Sequence, residues 1–236
     1  MHPVLFNIGS ICIYSYGFMI AVAFSVGTYL SRRAAKEAKI DPDFIVNLAF
    51  LLLFSGLIGA RLLYVTLNIR DYMQDPLEIL MLPHGGLSIY GGIFFAAVTG
   101  IIYARKKGYP VYKIGDLLIP YVALGQAIGR IGCFLNGCCY GMPMKPFCGM
   151  QNHPAQIYEL IFDFLGFLLL WNLRKKIKVE GGLFLLYLMI YAVIRTIVSR
   201  FRADNLYLFG ISLTLADITS IGIFITAIAI FIKKRD

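Results

Sequence analysis

Leu117-Leu-Ile-Pro-Tyr-Val-Ala-Leu-Gly-Gln-Ala-Ile-Gly-Arg-Ile-Gly-Cys-Phe-Leu135 is a run of 19 residues with a single charge, Arg130, near its end. As a helix rising 1.5 Å per residue it is about 28 Å long, close to the ~30 Å hydrocarbon core of a bilayer. Lipid offers the backbone no hydrogen-bond partners, so such a run crosses as a helix. An arginine at the hydrocarbon edge is costly and points to function. Its planar fork of donors suits an anionic head group, and the alternative is an anchor that snorkels to the interface. Gly129, Gly132, Gly137 and Gly141 flank it and allow backbone or ligand to come close.

Six further runs of this kind lie outward from it, at Ile11–Leu30, Phe44–Leu67, Leu87–Ala104, Ile157–Trp171, Leu183–Val198 and Leu213–Ile232. The spacing predicts an all-α, polytopic membrane protein of seven transmembrane helices. Short connections make residues 1–236 one transmembrane domain with an outer loop at about 136–156, where Pro143, Pro146 and Pro154 fall. The composition agrees, at 59% hydrophobic and 15% charged. Met1-His-Pro-Val4 has no basic flank and no small-residue cleavage site follows, so no removable signal peptide is expected. A net charge of +9 invites a nucleic-acid reading, but the basic residues are spread over short loops and report topology instead.

Loops after the odd-numbered spans carry 15 Lys and Arg, including Arg32, Arg33, Arg105–Lys107 and Lys233–Arg235. The opposite side has four: Arg70, Lys145, Arg200 and Arg202. The positive-inside rule therefore puts the N-terminus outside and the C-terminus in the cytoplasm. In that frame Arg130 and Arg195 lie about 20 Å above the cytoplasmic edge and Arg61 about 26 Å. Tyr16 lies about 7–8 Å below the outer start of the first span, and Tyr90 opens the third. These five polar residues gather in the outer leaflet, whereas anchors would scatter over both. A site that handles phospholipid is the expectation.

Arg130 and Arg195, on different spans, can clamp one phosphate; the competing reading pairs them with Glu159, Asp163 or Asp217. Tyr16, Tyr64 and Tyr90 can donate to phosphate or assist a departing proton, although interfacial tyrosine belts are ordinary. The pairs Gly85-Gly86 and Gly91-Gly92 suit passage of a lipid or equally close helix packing. Cys133, Cys138, Cys139 and Cys148, with Cys12, match no common zinc spacing, so neither metal nor cofactor is expected. Their remaining uses are a disulfide in an oxidising exterior or small apolar filling. His84 and His153 fall in outer loops, where either can serve as a base.

With those residues placed, the chain resembles the bacterial prolipoprotein diacylglyceryl transferases over nearly its full length. The matching pieces are Tyr16-Gly17, Gly59-Ala-Arg-Leu-Leu-Tyr64, His84 to Gly92, Gly129-Arg-Ile-Gly132 through Asn136-Gly137 to Gly141, His153-Pro-Ala-Gln-Ile-Tyr-Glu159, and Tyr191 to Arg195 with Arg202. The resemblance implies a multi-pass transferase of the bacterial plasma membrane whose site opens to the outer leaflet. It would move a diacylglyceryl group from phosphatidylglycerol to the lipobox cysteine beside a prolipoprotein's signal peptide, releasing glycerol phosphate. It implies head-group binding and leaving-group stabilisation by Arg130 and Arg195, with Tyr16 and Tyr90 near the reacting centre. Arg61, Gly132, Asn136, Gly141, Gly86 and Gly91 would bind phosphatidylglycerol.

The chain departs from the family pattern at Cys133, where Asn is usual, at Cys138, where Glu is usual, and at Ser199, one turn past Arg195, where Glu is common. A divergent relative with another acceptor, a non-catalytic lipid binder and a carrier of an anionic ligand are the rival readings. A carrier would place its site at the midplane between paired, interrupted helices, and no such pairing stands in the sequence.

Overall fold

The computed structural model describes residues 3–8, 11–73, 75–81, 85–147, 150–203 and 214–235. Among these the chain is helical, with α1 Ser15–Glu37, α2 Pro42–Leu67, a short α3 Ile69–Tyr72, α4 Ile89–Lys106, α5 Val111–Asn136, α6 Ala155–Leu173, α7 Gly182–Ser199 and α8 Leu215–Arg235. A 3-10 turn covers Pro76–Leu80. Among the described residues, five helical stretches are long and apolar enough to cross a membrane: α2, α5, α6, α7 and Ala216–Lys234 of α8. Only 17–44% of each such stretch is buried within the protein. Phe54, Ile58, Ile93, Phe94, Leu165 and Ile225 are more than half exposed. Apolar surface on that scale is not left to water by a soluble chain. In a bilayer it faces lipid.

Two corrections to the expected layout follow. Helix α1 begins at Ser15, not Ile11, because β1 Val4–Ile8 and β2 Ile11–Tyr14 form an antiparallel hairpin ahead of it. Buried Ser15 ties the helix start to that hairpin, its backbone N–H and hydroxyl both donating to Pro3 O. Within the stretch expected as loop, β3 Pro143–Phe147 pairs with β4 Met150–Asn152.

The chain forms two compact units, Met1–Ser31 with Gly115–Asp236, and Arg32–Ile114. In the first, α6 packs on α7 and α7 on α8. Ile119, Ala123, Leu170 and Leu183 make a buried core there, covered by Phe167, Leu186 and Ile190. Asp116 of α5 caps the start of α7, accepting from Gly181 N at 2.6 Å and Phe184 N at 2.8 Å, which satisfies donors a helix start otherwise leaves orphaned. Helix α8 is capped by a reciprocal box: Thr214 N donates to Asp217 Oδ2 at 3.0 Å and Asp217 N to Thr214 Oγ1 at 3.1 Å.

In the second unit α2 starts on Asp41, which accepts from Asp43 N at 3.0 Å, with Pro42 in the first turn. It packs on α4. A Cβ on Gly59 would lie 2.7 Å from Gly91 O, and one on Gly91 would lie 2.6 Å from Leu63 Cβ. Only glycine permits backbones this close.

Candidate functional site

Glu159 is the centre of the polar interior of the first unit. It sits on the second turn of α6, its side chain 4% exposed, and three arginines from three segments converge on it. Arg130 Nε, near the end of α5, reaches Oε2 at 2.8 Å. Arg195 Nη1 on α7 reaches Oε1 at 3.3 Å. Arg202 Nη1, just past α7, lies 3.1 Å from Oε1 and 3.3 Å from Oε2. Asp163, one turn further along α6, is also within electrostatic reach of Arg130. Three guanidinium charges against two carboxylates leave the group cationic. Burial is uneven: the side chains of Arg130 and Arg195 are 25% exposed, that of Arg202 only 6%. Two cationic groups thus keep an open surface, and the third seals the carboxylate from behind.

The local sequence explains how Arg202 arrives there. Gly141 bridges to Arg202 as a β-bridge, Met142 N donates to Phe201 O at 2.8 Å, and Gly141 N donates to His153 O at 2.8 Å. A Cβ at Gly141 would collide with Phe201 O and with His153, so the approach needs glycine. His153, Tyr158 and Phe201 pack beside this junction in tilted and edge-to-face contacts, with His153 Nδ1 3.3 Å from Tyr158 Oη.

Asp217, also expected as a possible partner of Arg130 or Arg195, instead meets Arg200 Nη2 at 3.5 Å and Ser199 Oγ at 2.7 Å. At Ser199, where the resemblance led to the expectation of Glu, a carboxylate from α8 accepts a hydrogen bond from the hydroxyl instead. Position 199 thus remains part of a charged network despite the departure.

Tyr16 opens α1, 43% exposed, within electrostatic reach of Arg130 and of Cys133, Cys138 and Cys139. Gly132 makes that proximity possible, since a Cβ there would sit 3.0 Å from Met19 Cβ and 3.4 Å from Tyr16 Cα. Asn136 is the last residue of α5. Arg130, Arg195, Tyr16, Gly132, Asn136 and Gly141 therefore all belong to the first unit.

Arg61, Gly86, Tyr90 and Gly91 belong to the second. Arg61 is 6% exposed and meets five backbone carbonyls: Ile79 O from Nε at 3.0 Å, Gly85 O and Gly86 O from Nη1, and Glu78 O and Met81 O from Nη2. Guanidinium has five N–H donors, so this set is complete. Tyr72 lies across the guanidinium at 5.2 Å. Expected at a head group, Arg61 here fastens the segment before α4. Gly86, at φ +79°, carries one of the carbonyls and abuts Tyr64. Gly91 sits in the α2–α4 crossing, and Tyr90 is 62% exposed on the first turn of α4. His84 and Cys148 lie outside the described residues.

The arrangement that sequence spacing missed is a cluster of thiols. The sulfur atoms of Cys133, Cys138 and Cys139 all lie within 4.8 Å of one another. Helix α5 ends in a Schellman motif: Gly137 takes φ +75°, its N–H bonds Phe134 O at 3.2 Å, and Cys138 N–H bonds Cys133 O at 3.2 Å. This fold-back puts positions 133 and 138 side by side, and a second left-handed residue, Cys139 at φ +61°, turns the third thiol inward. Asn136-Gly137 was the available signal: read as a helix stop, it converts a five-residue spacing into a contact. The four described cysteines are free. The Cys139 thiol is pushed down to about 5, first because Cys133 donates a hydrogen bond to its sulfur, with Arg202 adding charge and a further bond against the cost of burial.

Buried carboxylate, shared arginines and lipid-facing helices define a polytopic membrane protein with a partly exposed cationic cluster. Comparison with known proteins gives the family. The model of the prolipoprotein diacylglyceryl transferases matches residues 3–233. A phosphatidylglycerol–prolipoprotein diacylglyceryl transferase of Clostridium tetani is 42% identical over 217 residues, 86% of each chain. That of Fusobacterium nucleatum is 34% identical, covering 100% of this chain and 98% of its own, and that of Staphylococcus aureus 32%, covering 99% and 89%. This chain belongs to the prolipoprotein diacylglyceryl transferase family.

Proposed function

We infer that this chain transfers the diacylglyceryl group of phosphatidylglycerol to the lipobox cysteine thiol of exported prolipoproteins. The observation that carries the reading is the set of three guanidiniums on buried Glu159, two of them partly exposed, in a chain of this family. In the reaction the acceptor sulfur forms a bond to the glyceryl carbon, and the bond from that carbon to the phosphoester oxygen breaks. Glycerol phosphate leaves with the electron pair, and the thiol proton is released. The phosphate charge grows from one to two as the bond breaks. Cationic donors already held in place stabilise that growth more than they stabilise the bound lipid, which is the condition for acceleration.

Arg130 and Arg195 are assigned to the phosphate. Glu159 and Arg202 position them, because a buried carboxylate holding several arginines fixes their side chains before substrate arrives. Tyr16 is assigned to the acceptor side, and an acceptor thiol of ordinary pKa near 8.5 is drawn toward thiolate by the same cations. Tyr90 is assigned near the reacting centre on the resemblance alone. Seven spans with the N-terminus outside, a site toward the outer leaflet and residence in the bacterial plasma membrane complete the proposal, supported by the charge asymmetry of the loops.

Purified protein in phosphatidylglycerol micelles, given a lipobox peptide, is expected to shift that peptide on a gel. Arg130→Ala and Arg195→Ala should each lower kcat/KM by about 10²–10³, the usual cost of losing one preorganised donor. Equal turnover by either variant would remove that arginine from the phosphate, and no product from the wild type would favour a lipid binder or a carrier.

A further inference from the structure

We propose that Cys133, Cys138 and Cys139 form a binding site for a thiophilic divalent cation of the zinc class, with three cysteine sulfurs as ligands and the fourth position left to water. Nothing in the diacylglyceryl transfer calls for such a site. It rests first on the positions of the three sulfurs.

Three sulfurs within 4.8 Å of one another are near coordination distance before any ion is added. Zinc–sulfur bonds of about 2.3 Å in a tetrahedral arrangement put the sulfurs about 3.8 Å apart. Closing that gap takes small side-chain rotations, since all three residues sit on one tight turn. The turn itself is held from outside: Gln156 Nε2 donates to Cys138 O at 2.6 Å, and the Schellman bonds fix Cys133 and Cys138. Cys133 is buried and the other two are half-buried, so the ligand set is partly sheltered from solvent. Three protein ligands with an open fourth position is the arrangement of exchangeable or catalytic zinc sites, whereas closed structural sites use four.

Charge supports the same assignment. Three thiolates and one divalent ion carry a net charge of −1, and Arg130 and Arg202 stand within electrostatic reach of these sulfurs to offset it. Arg202 also hydrogen-bonds the Cys139 sulfur, the kind of outer contact that orients a metal ligand. Among the described residues the set is three cysteine sulfurs, and an all-sulfur site favours zinc or another soft ion over magnesium or calcium.

The test uses full-length reduced protein in detergent without lipid or peptide, so its result does not depend on the transferase reading. Titration with Co²⁺ should produce a thiolate-to-cobalt charge-transfer band that saturates at one ion per chain and disappears on adding Zn²⁺. Cys138→Ser and Cys139→Ser should weaken the ion by more than the 10–100-fold that loss of an outer contact costs. Cys12→Ser, in the exposed hairpin, should leave it unchanged. Because a serine variant can fold poorly, wild-type protein is also alkylated with a maleimide and mapped by mass spectrometry. Zinc should protect Cys133, Cys138 and Cys139 and spare Cys12 no labelling. Absence of the charge-transfer band, or equal labelling with and without zinc, overturns the site; so does an unchanged affinity in a folded Cys138→Ser variant.

Discussion

Arg61 and the arginines around Glu159 are the same residue in two opposite settings. In the unit of residues 32–114, Arg61 is enclosed by five neutral carbonyls, every donor engaged. In the other unit Arg130, Arg195 and Arg202 divide one carboxylate, and two of them keep a quarter of their side chains exposed. Carbonyl dipoles satisfy the hydrogen bonds of a guanidinium without offering a place for a further anion. A single shared carboxylate leaves positive charge over. The cost of burial is common to both settings, so what separates them is the partner set, and this contrast is the ground on which Arg130 and Arg195, not Arg61, are proposed to bind a ligand.

The largest effect should come from removing the shared carboxylate. Glu159→Gln leaves three neighbouring guanidiniums with no central anion, and breaking a buried ion pair by deleting one partner costs about 3–5 kcal/mol. The expected outcome is a severe loss of folded protein and of thermal stability in detergent. A variant as stable as the wild type would mean that Asp163 or solvent already balances the cluster.

Arg61→Lys sharpens the contrast from the other side. Lysine keeps the charge but offers three donors in place of five and cannot match a planar fork. Two or more carbonyls lose their partner, at about 1–3 kcal/mol for each buried group left unsatisfied. Hydrogen exchange should rise at Glu78–Met81 and Gly85–Gly86, with lower stability. Unchanged exchange together with weakened affinity for phosphatidylglycerol would return Arg61 to the head group.

Gly91→Ala is the smallest of the three. Its Cβ would press on Leu63 and on the backbone of Gly59, and overpacking of this kind costs about 1–3 kcal/mol. Gly17→Ala, which meets nothing within 4 Å, serves as the reference and should fall within about 0.5 kcal/mol of the wild type. Equal melting temperatures for the two would show that α2 and α4 can separate, and would free Gly91 for a lipid.

Much of this was legible in the chain. The apolar runs mark where the long helices form, because burying backbone in hydrocarbon forces local hydrogen bonding and so leaves a local signature. Arg130 and Arg195 stood out because charge is rare in such runs. Arg202 did not, since it lies outside the runs and reaches Glu159 only through the bridge to Gly141. The start of α1 was also misplaced: Ile11–Tyr14 is as apolar as a span, and only its pairing with Val4–Ile8 makes it strand.

The sequence by itself determined that this is a helical membrane protein, which residues are out of place in lipid, and the family to which they belong. Which arginine is enclosed by carbonyls, which ones share a carboxylate, and that three cysteines meet at the end of α5 were decided by tertiary structure alone. Hydropathy acts residue by residue and survives in one dimension. Hydrogen-bond satisfaction and metal geometry depend on groups distant in the chain, or folded back by a turn, and exist only once the backbone has brought them together.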